Sequence, residues 1–128
     1  MKPQIIGDYE IGYEMVQLIL RDGDGAEFYR LSGNVTIPTI IVGCGHACWW
    51  QVVACLLHEA FELVADRLGC RFYPSHNLAN DNSAYLFVLD HQRFADCCAK
   101  VADFMTVALP DLAVAWKQRQ KTTKKESS

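Results

Sequence analysis

No apolar run in the sequence approaches the roughly 18 residues that a membrane-spanning helix needs, so a helical membrane protein is excluded. The opening MKPQIIGDYE lacks the apolar core of a secretory signal, and the cytoplasm is the expected compartment. Positive charge is not in excess: 12 Lys and Arg against 15 Asp and Glu give a net charge of −3, which provides no general field for nucleic acid. No internal repeat and no domain boundary is visible. Disulfides are not expected either. Six cysteines are present, but without an export signal a reducing compartment keeps them as thiols, and Cys55, Cys70, Cys97 and Cys98 read as small buried hydrophobes. What remains is 128 residues, 51% hydrophobic and 21% charged, enough for one globular core.

The expected organisation is a single α+β domain over residues 1–116 and a basic, disordered tail over 117–128. The tail, KQRQKTTKKESS, has no apolar anchor. Residues 10–20, EIGYEMVQLIL, alternate in the manner of a strand. Asp22-Gly23-Asp24-Gly25 follows as a turn, since both Asp-Gly pairs tolerate φ > 0, and residues 26–31 would return as the second arm of a hairpin. The same DGDG lacks the spaced ligands and the closing Glu of a calcium loop. Residues 35–42, VTIPTIIV, predict a third strand, which Pro38 places at an edge or a bulge. The N-terminal part is therefore expected to be an antiparallel sheet.

Residues 49–69, WWQVVACLLHEAFELVADRLG, form the longest helical run. At about 100° per residue, Ala54, Leu57, Ala60, Phe61, Val64, Ala65 and Leu68 cover one side, and Val52, Leu56 and Leu63 cover much of another. A helix so apolar is a buried central helix. Gln51, Cys55, His58, Glu59, Glu62 and Asp66 occupy the narrow wedge left over, and polar groups framed in this way are expected to line a cleft or to find buried partners. Gly69 is placed to end the helix. Short strands are expected at 70–73 and, buried, at 84–89. After Asp90 as N-cap comes a C-terminal helix over 91–109, which Pro110 stops, with a last turn or short helix over 111–116.

Chemistry concentrates on the central helix. In a helical H-E-x-x-H, two imidazoles at i and i+4 hold zinc and the adjacent Glu acts on water as general base. Here His58 and Glu62 have that spacing and Glu59 stands in the base position. Catalytic zinc takes three protein ligands and keeps a place for water. His91, at the start of the second long helix, is the first choice for the third, followed by Asp90, which could instead orient an imidazole, and by His76 and Asp81. The loop 43–48 brings Cys44, His46 and Cys48 as a further C-x-H-x-C group, but no second pair completes a structural zinc site. A different reading of the same residues is a buried His58 satisfied by Glu62 with no metal at all.

LLHEAFELV, with a second helix ending near Pro110-Asp111-Leu112, resembles the active-site helix of minimal zincin-like metallopeptidases, including small phage and prophage-encoded proteins with an L-H-E helix. The likeness spans residues 49–116, and Glu62 stands where that family has its second His. It implies a zincin-like α+β fold, a zinc cofactor held by His58, Glu59 as general base, and peptide or protein substrates. The alternative is a non-catalytic interaction module on the same scaffold, with Trp49, Trp50 and Trp116 available to a partner surface.

Overall fold

In a computed structural model of the chain, residues 2–29, 37–72 and 86–127 are described. The elements are β1 (Gln4–Ile11), β2 (Glu14–Arg21), β3 (Ala26–Tyr29), β4 (Thr39–Gly43), α1 (Trp49–Arg67), β5 (Arg71–Phe72), β6 (Leu86–Phe87) and α2 (His91–Ser127). The class is α+β, as the sequence predicts. The expectation of an antiparallel sheet needs correction. The four-stranded sheet runs β1-β2-β4-β3, and its central pair, β2 with β4, is parallel.

Two turns explain the difference. The segment read as one strand from residue 10 is interrupted at Gly12, whose φ of 63° lets the chain reverse through Gly12 and Tyr13, so that β1 and β2 pair as a hairpin from Ile11↔Glu14 back to Gln4↔Leu20. The Asp22–Gly25 turn does have its positive-φ glycines, Gly23 at 84° and Gly25 at 71°. It does not make a hairpin, because β4 lies between β2 and β3. Its backbone instead zips onto the loop after β4: Gly43 N–H donates to the Gly25 carbonyl at 2.8 Å, Cys44 N–H to Arg21 at 2.8 Å and Gly45 N–H to Gly23 at 2.7 Å. A Cβ on Gly43 would collide with the Gly23 carbonyl oxygen and the Asp24 backbone, so this close approach requires glycine. Pro38 sits just ahead of a central strand, not on an edge. It needs no ladder donor there, and its carbonyl accepts from Gln17 N–H at 2.9 Å.

Both helices cover one face of the sheet. Val16, Leu18, Leu20, Ile40 and Val42 from the strands meet Val52, Leu56, Ala60 and Leu63 from α1 and Cys97, Val101, Phe104 and Ala108 from α2, all buried. Helix α1 ends in a Schellman motif as Gly69 predicts: Gly69 has φ 72°, its N–H donates to Asp66, and Cys70 N–H reaches back to the Ala65 carbonyl at 2.9 Å. Asp90 caps α2, accepting from Arg93 N–H at 2.8 Å. Strands β5 and β6 form a short antiparallel pair. Phe87 and Val88 are exposed, so this is a surface pair and not the buried strand expected at 84–89, of which 84 and 85 lie outside the described residues.

The C-terminal third corrects a second expectation. Pro110 does not stop α2, and residues 117–127 are helical, not a disordered tail. The buried stripe explains why: Cys97, Val101, Phe104, Ala108, Leu112, Ala115 and Arg119 recur every three or four residues straight through the proline. Pro110 is exposed, and the carbonyl it leaves without a donor belongs to exposed Thr106, where water can serve it. Tyr9 O–H donates to Asp111 at 2.7 Å and Trp49 packs on Trp116 with ring centres 5.5 Å apart and planes tilted by 45°, tying the post-proline turn to β1 and α1. Arg119, 7% exposed, donates to Asp22 at 3.1 Å and to the Lys2 carbonyl at 3.1 Å.

Two measurements test this frame. Gly43→Ala forces the turn and the loop apart, and should cost about 2 kcal/mol or more in urea denaturation. Arg119→Ala should cost about 1–2 kcal/mol, because one partner is half exposed. A loss below about 0.3 kcal/mol would mean that the end of α2 is not docked.

Candidate metal centre

The inner stripe of α1, Val52, Leu56, Ala60 and Leu63, is fixed by the sheet and α2, and this sets the direction in which the rest of the helix faces. Ala54 and Leu57, expected on an apolar side, are open to solvent. The polar wedge divides between inside and outside. His58 is exposed, with 63% of its side chain accessible, while Glu59 and Glu62 are 6% and 8% exposed.

These three side chains converge. His58 Nε2 lies 3.5 Å from Glu62 Oε1 and 4.0 Å from Glu59 Oε1, and one donor atom from each falls within 4.8 Å of the others. The sequence places them at i, i+1 and i+4, and the backward tilt of side chains along a helix returns Glu62 towards His58. Two donors bound at about 2.1 Å in a tetrahedral shell stand about 3.4 Å apart, so the His58–Glu62 separation already suits a shared cation. Two hollows flank the imidazole. One, of about 370 Å³, is lined by Ala54, Leu57, His58, Phe61, Glu62 and Phe87. The other, of about 350 Å³, is lined by Ala26, Ala54, Cys55, His58 and Glu59.

Glu59 carries the electrostatic tension of the site. Burial first, and then the neighbouring Glu62 carboxylate, push its pKa above the ordinary value, and His58 offsets this only in part. Among the described residues its carboxylate is paired with His58 at 4.0 Å, an ion-pair distance and not a hydrogen bond. A buried carboxylate of this kind is a charge held ready for a cation or a proton.

The other candidates fare differently. His91 is exposed at the start of α2 and is not in the converging group. Asp90 is engaged as the cap of α2, also pairing with the Arg93 guanidinium at 2.6 Å. His76 and Asp81 lie outside the described residues. The C-x-H-x-C loop does not converge on one point. Cys44 lies against Asp22 and Arg119, and exposed Cys48 precedes α1, its N–H donating to Gln51. His46 turns the other way: its Nε2 accepts from Gly25 N–H at 3.0 Å and lies 3.5 Å from Cys55 Sγ. Burial, with Glu59 adding to it, pushes the Cys55 thiol pKa up. Sequence reasoning passed over this thiol–imidazole pair. No helical spacing signals it, because His46 lies in the loop ahead of α1, nine residues from Cys55.

No protein-family model, curated protein or solved structure matches the chain. The weight therefore falls on the geometry of the His-Glu-Glu group.

The raised pKa of Glu59 sets a sign. A carboxyl that holds its proton more tightly when folded contributes most to stability below the unfolded value of about 4.3, and loses that contribution as pH rises through its folded value. Metal-free Glu59→Gln protein should therefore be more stable than the parent at pH 7 by about 1 kcal/mol, the gain vanishing towards pH 4 in thermal melts. Equal or lower stability at pH 7 would show that the carboxylate is not held at a cost.

Proposed function

We propose that the chain is a small metal-dependent hydrolase acting on peptides, with His58 and Glu62 as ligands to zinc and Glu59 as the general base. The observation that carries this reading is the convergence of one exposed imidazole and two buried carboxylates within 4.8 Å, beside open hollows. The donor set suits the ion, since nitrogen and carboxylate oxygen are both ordinary zinc ligands and the hollows leave room for water and substrate. When bound there, zinc would acidify water and polarise a carbonyl. Glu59 would take a proton at a carboxylate oxygen, and the upward pressure on its pKa suits that role, because a base works best when its pKa lies near the operating pH.

The apolar lining of Leu57, Phe61 and Phe87 beside Glu62 favours a substrate with a large apolar side chain next to the bond that is cut. The resemblance to minimal zincin-like peptidases points to the same chemistry from the H-E pair and its apolar frame. A second reading, a non-catalytic interaction module, is favoured by one observation: Trp50, Leu57, Phe72, Phe87 and Val88 are exposed large hydrophobics on or near the same helix. Trp49 and Trp116 are not available to that surface, as they pack on each other.

Elemental analysis of chelator-treated protein reloaded with zinc separates the two. The hydrolase reading expects one equivalent of zinc, affinity lowered at least 100-fold in His58→Ala, and a fluorogenic peptide library cleaved by the loaded protein. Glu59→Gln should retain zinc and lose 10²–10⁴-fold in turnover. A chain that stays metal-free at micromolar zinc removes this function. Tight zinc binding with no hydrolysis of any library member leaves the interaction module.

A further inference from the structure

Another hollow lies away from His58, where the turn between β1 and β2 meets the end of α1 and the first third of α2. It shares no lining residue with the two hollows beside the imidazole and is more enclosed than either. Its floor is apolar. Ile11 from β1 and Leu63 and Val64 from α1 are buried there, and Leu68, one helical turn beyond Val64, packs beside them.

Three charged groups line the hollow above this floor, and two of them cancel. Arg67 Nη2 pairs with Glu14 Oε1 at 2.7 Å, bridging α1 to β2. The third is Lys100 from α2, which has no carboxylate partner among the described residues. Its Nζ lies 5.7 Å from the centre of the Tyr13 ring, and that ring is fully exposed, where a cation–π contact is weak. Gly12 sets the path of the lysine. A Cβ there would stand 3.3 Å from Lys100 Cδ and 3.5 Å from Cε, so the stem lies along the turn where no side chain obstructs it, and the ammonium is carried to the hollow.

One positive charge in excess beside an apolar floor is matched by a monoanion with an apolar body. A dianion such as a phosphate monoester would call for a second unpaired cation, and no other lining residue supplies one. Size narrows the class further. A dry cavity of about 150 Å³ takes benzene, so the volume here, about 200 Å³, has room for a chain of about six to eight carbons or for one ring on a short arm.

We propose that this hollow binds a small organic monocarboxylate, its apolar body resting on Leu63, Val64 and Leu68 and its carboxylate accepting from Lys100 Nζ. The site does not rest on the metal-binding reading, and neither depends on the other.

Octanoate titrated into the full chain provides the test, followed by proton–carbon spectra of the methyl groups. The signals of Leu63, Val64 and Leu68 should shift, and those of Leu57 beside His58 should stay in place. Octanol has the same chain without the charge, and should bind at least about 10-fold more weakly. Lys100→Met keeps the apolar stem and removes the ammonium. It should weaken octanoate by about the same 10-fold and leave octanol unchanged. Dodecanoate should bind no more tightly than octanoate, because its chain outgrows the hollow. Octanoate that leaves the three residues' methyl signals unmoved at millimolar concentration overturns the proposal, as does equal binding of octanoate and octanol. Affinity that keeps rising with chain length means adsorption to exposed apolar surface and overturns it as well. Far-ultraviolet circular dichroism checks that Lys100→Met is folded, and the comparison of octanoate with octanol on the unmutated chain decides the matter without the variant.

Discussion

Helix α1 cannot turn about its axis. Val52, Leu56, Ala60 and Leu63 are buried against the strands on one side and α2 on the other, and a rotation by one position in one sense would put Gln51, Cys55, Glu59 and Glu62 in their place. The position of every candidate functional group follows from that lock. The arc of α1 left outside the core carries His58 to the surface and leaves Glu59 and Glu62 just beneath it. The glycine contacts between the turn after β2 and the loop after β4 act at one remove: they fix where β4 ends and hence where α1 begins.

From that lock comes an electrostatic conflict. Two carboxylates three residues apart on one helical face are brought under apolar cover with one exposed imidazole as company. Burial and mutual repulsion act in the same direction on Glu59 and disfavour its charged form. Arrangements of this kind weaken a fold unless a ligand resolves them, and they are found where function has been favoured over stability. A divalent ion bound there would relieve the conflict at Glu59 and Glu62 together.

The long α2 shows tertiary contacts overriding local propensity. A proline within a helix removes one hydrogen bond and crowds the preceding turn, a cost of about 3 kcal/mol in isolation. Here Leu112, Ala115 and Arg119 extend the buried stripe beyond Pro110, and Tyr9 with Asp111 and Trp49 with Trp116 hold the following turns in place. The run of lysines at the end lacks apolar residues, yet one buried arginine reaching Asp22 and the Lys2 carbonyl anchors it to the turn after β2 and to the segment ahead of β1.

Sequence by itself determined the local features: the apolar frame of α1, the meeting of His58 with Glu62, the Schellman end at Gly69, the Asp90 cap and the left-handed glycines of the DGDG turn. Each depends on spacings of four residues or fewer, where backbone geometry leaves few choices. Tertiary structure decided what depends on distant partners. It inserted β4 in parallel between β2 and β3, because strand order is set by which apolar faces can share one core and not by which strands are neighbours in the chain. It carried α2 through Pro110, since packing can outweigh a single lost hydrogen bond. It also left His91 out of the converging group and brought His46 to Cys55, because which loops meet the wedge of α1 depends on the path of the whole chain.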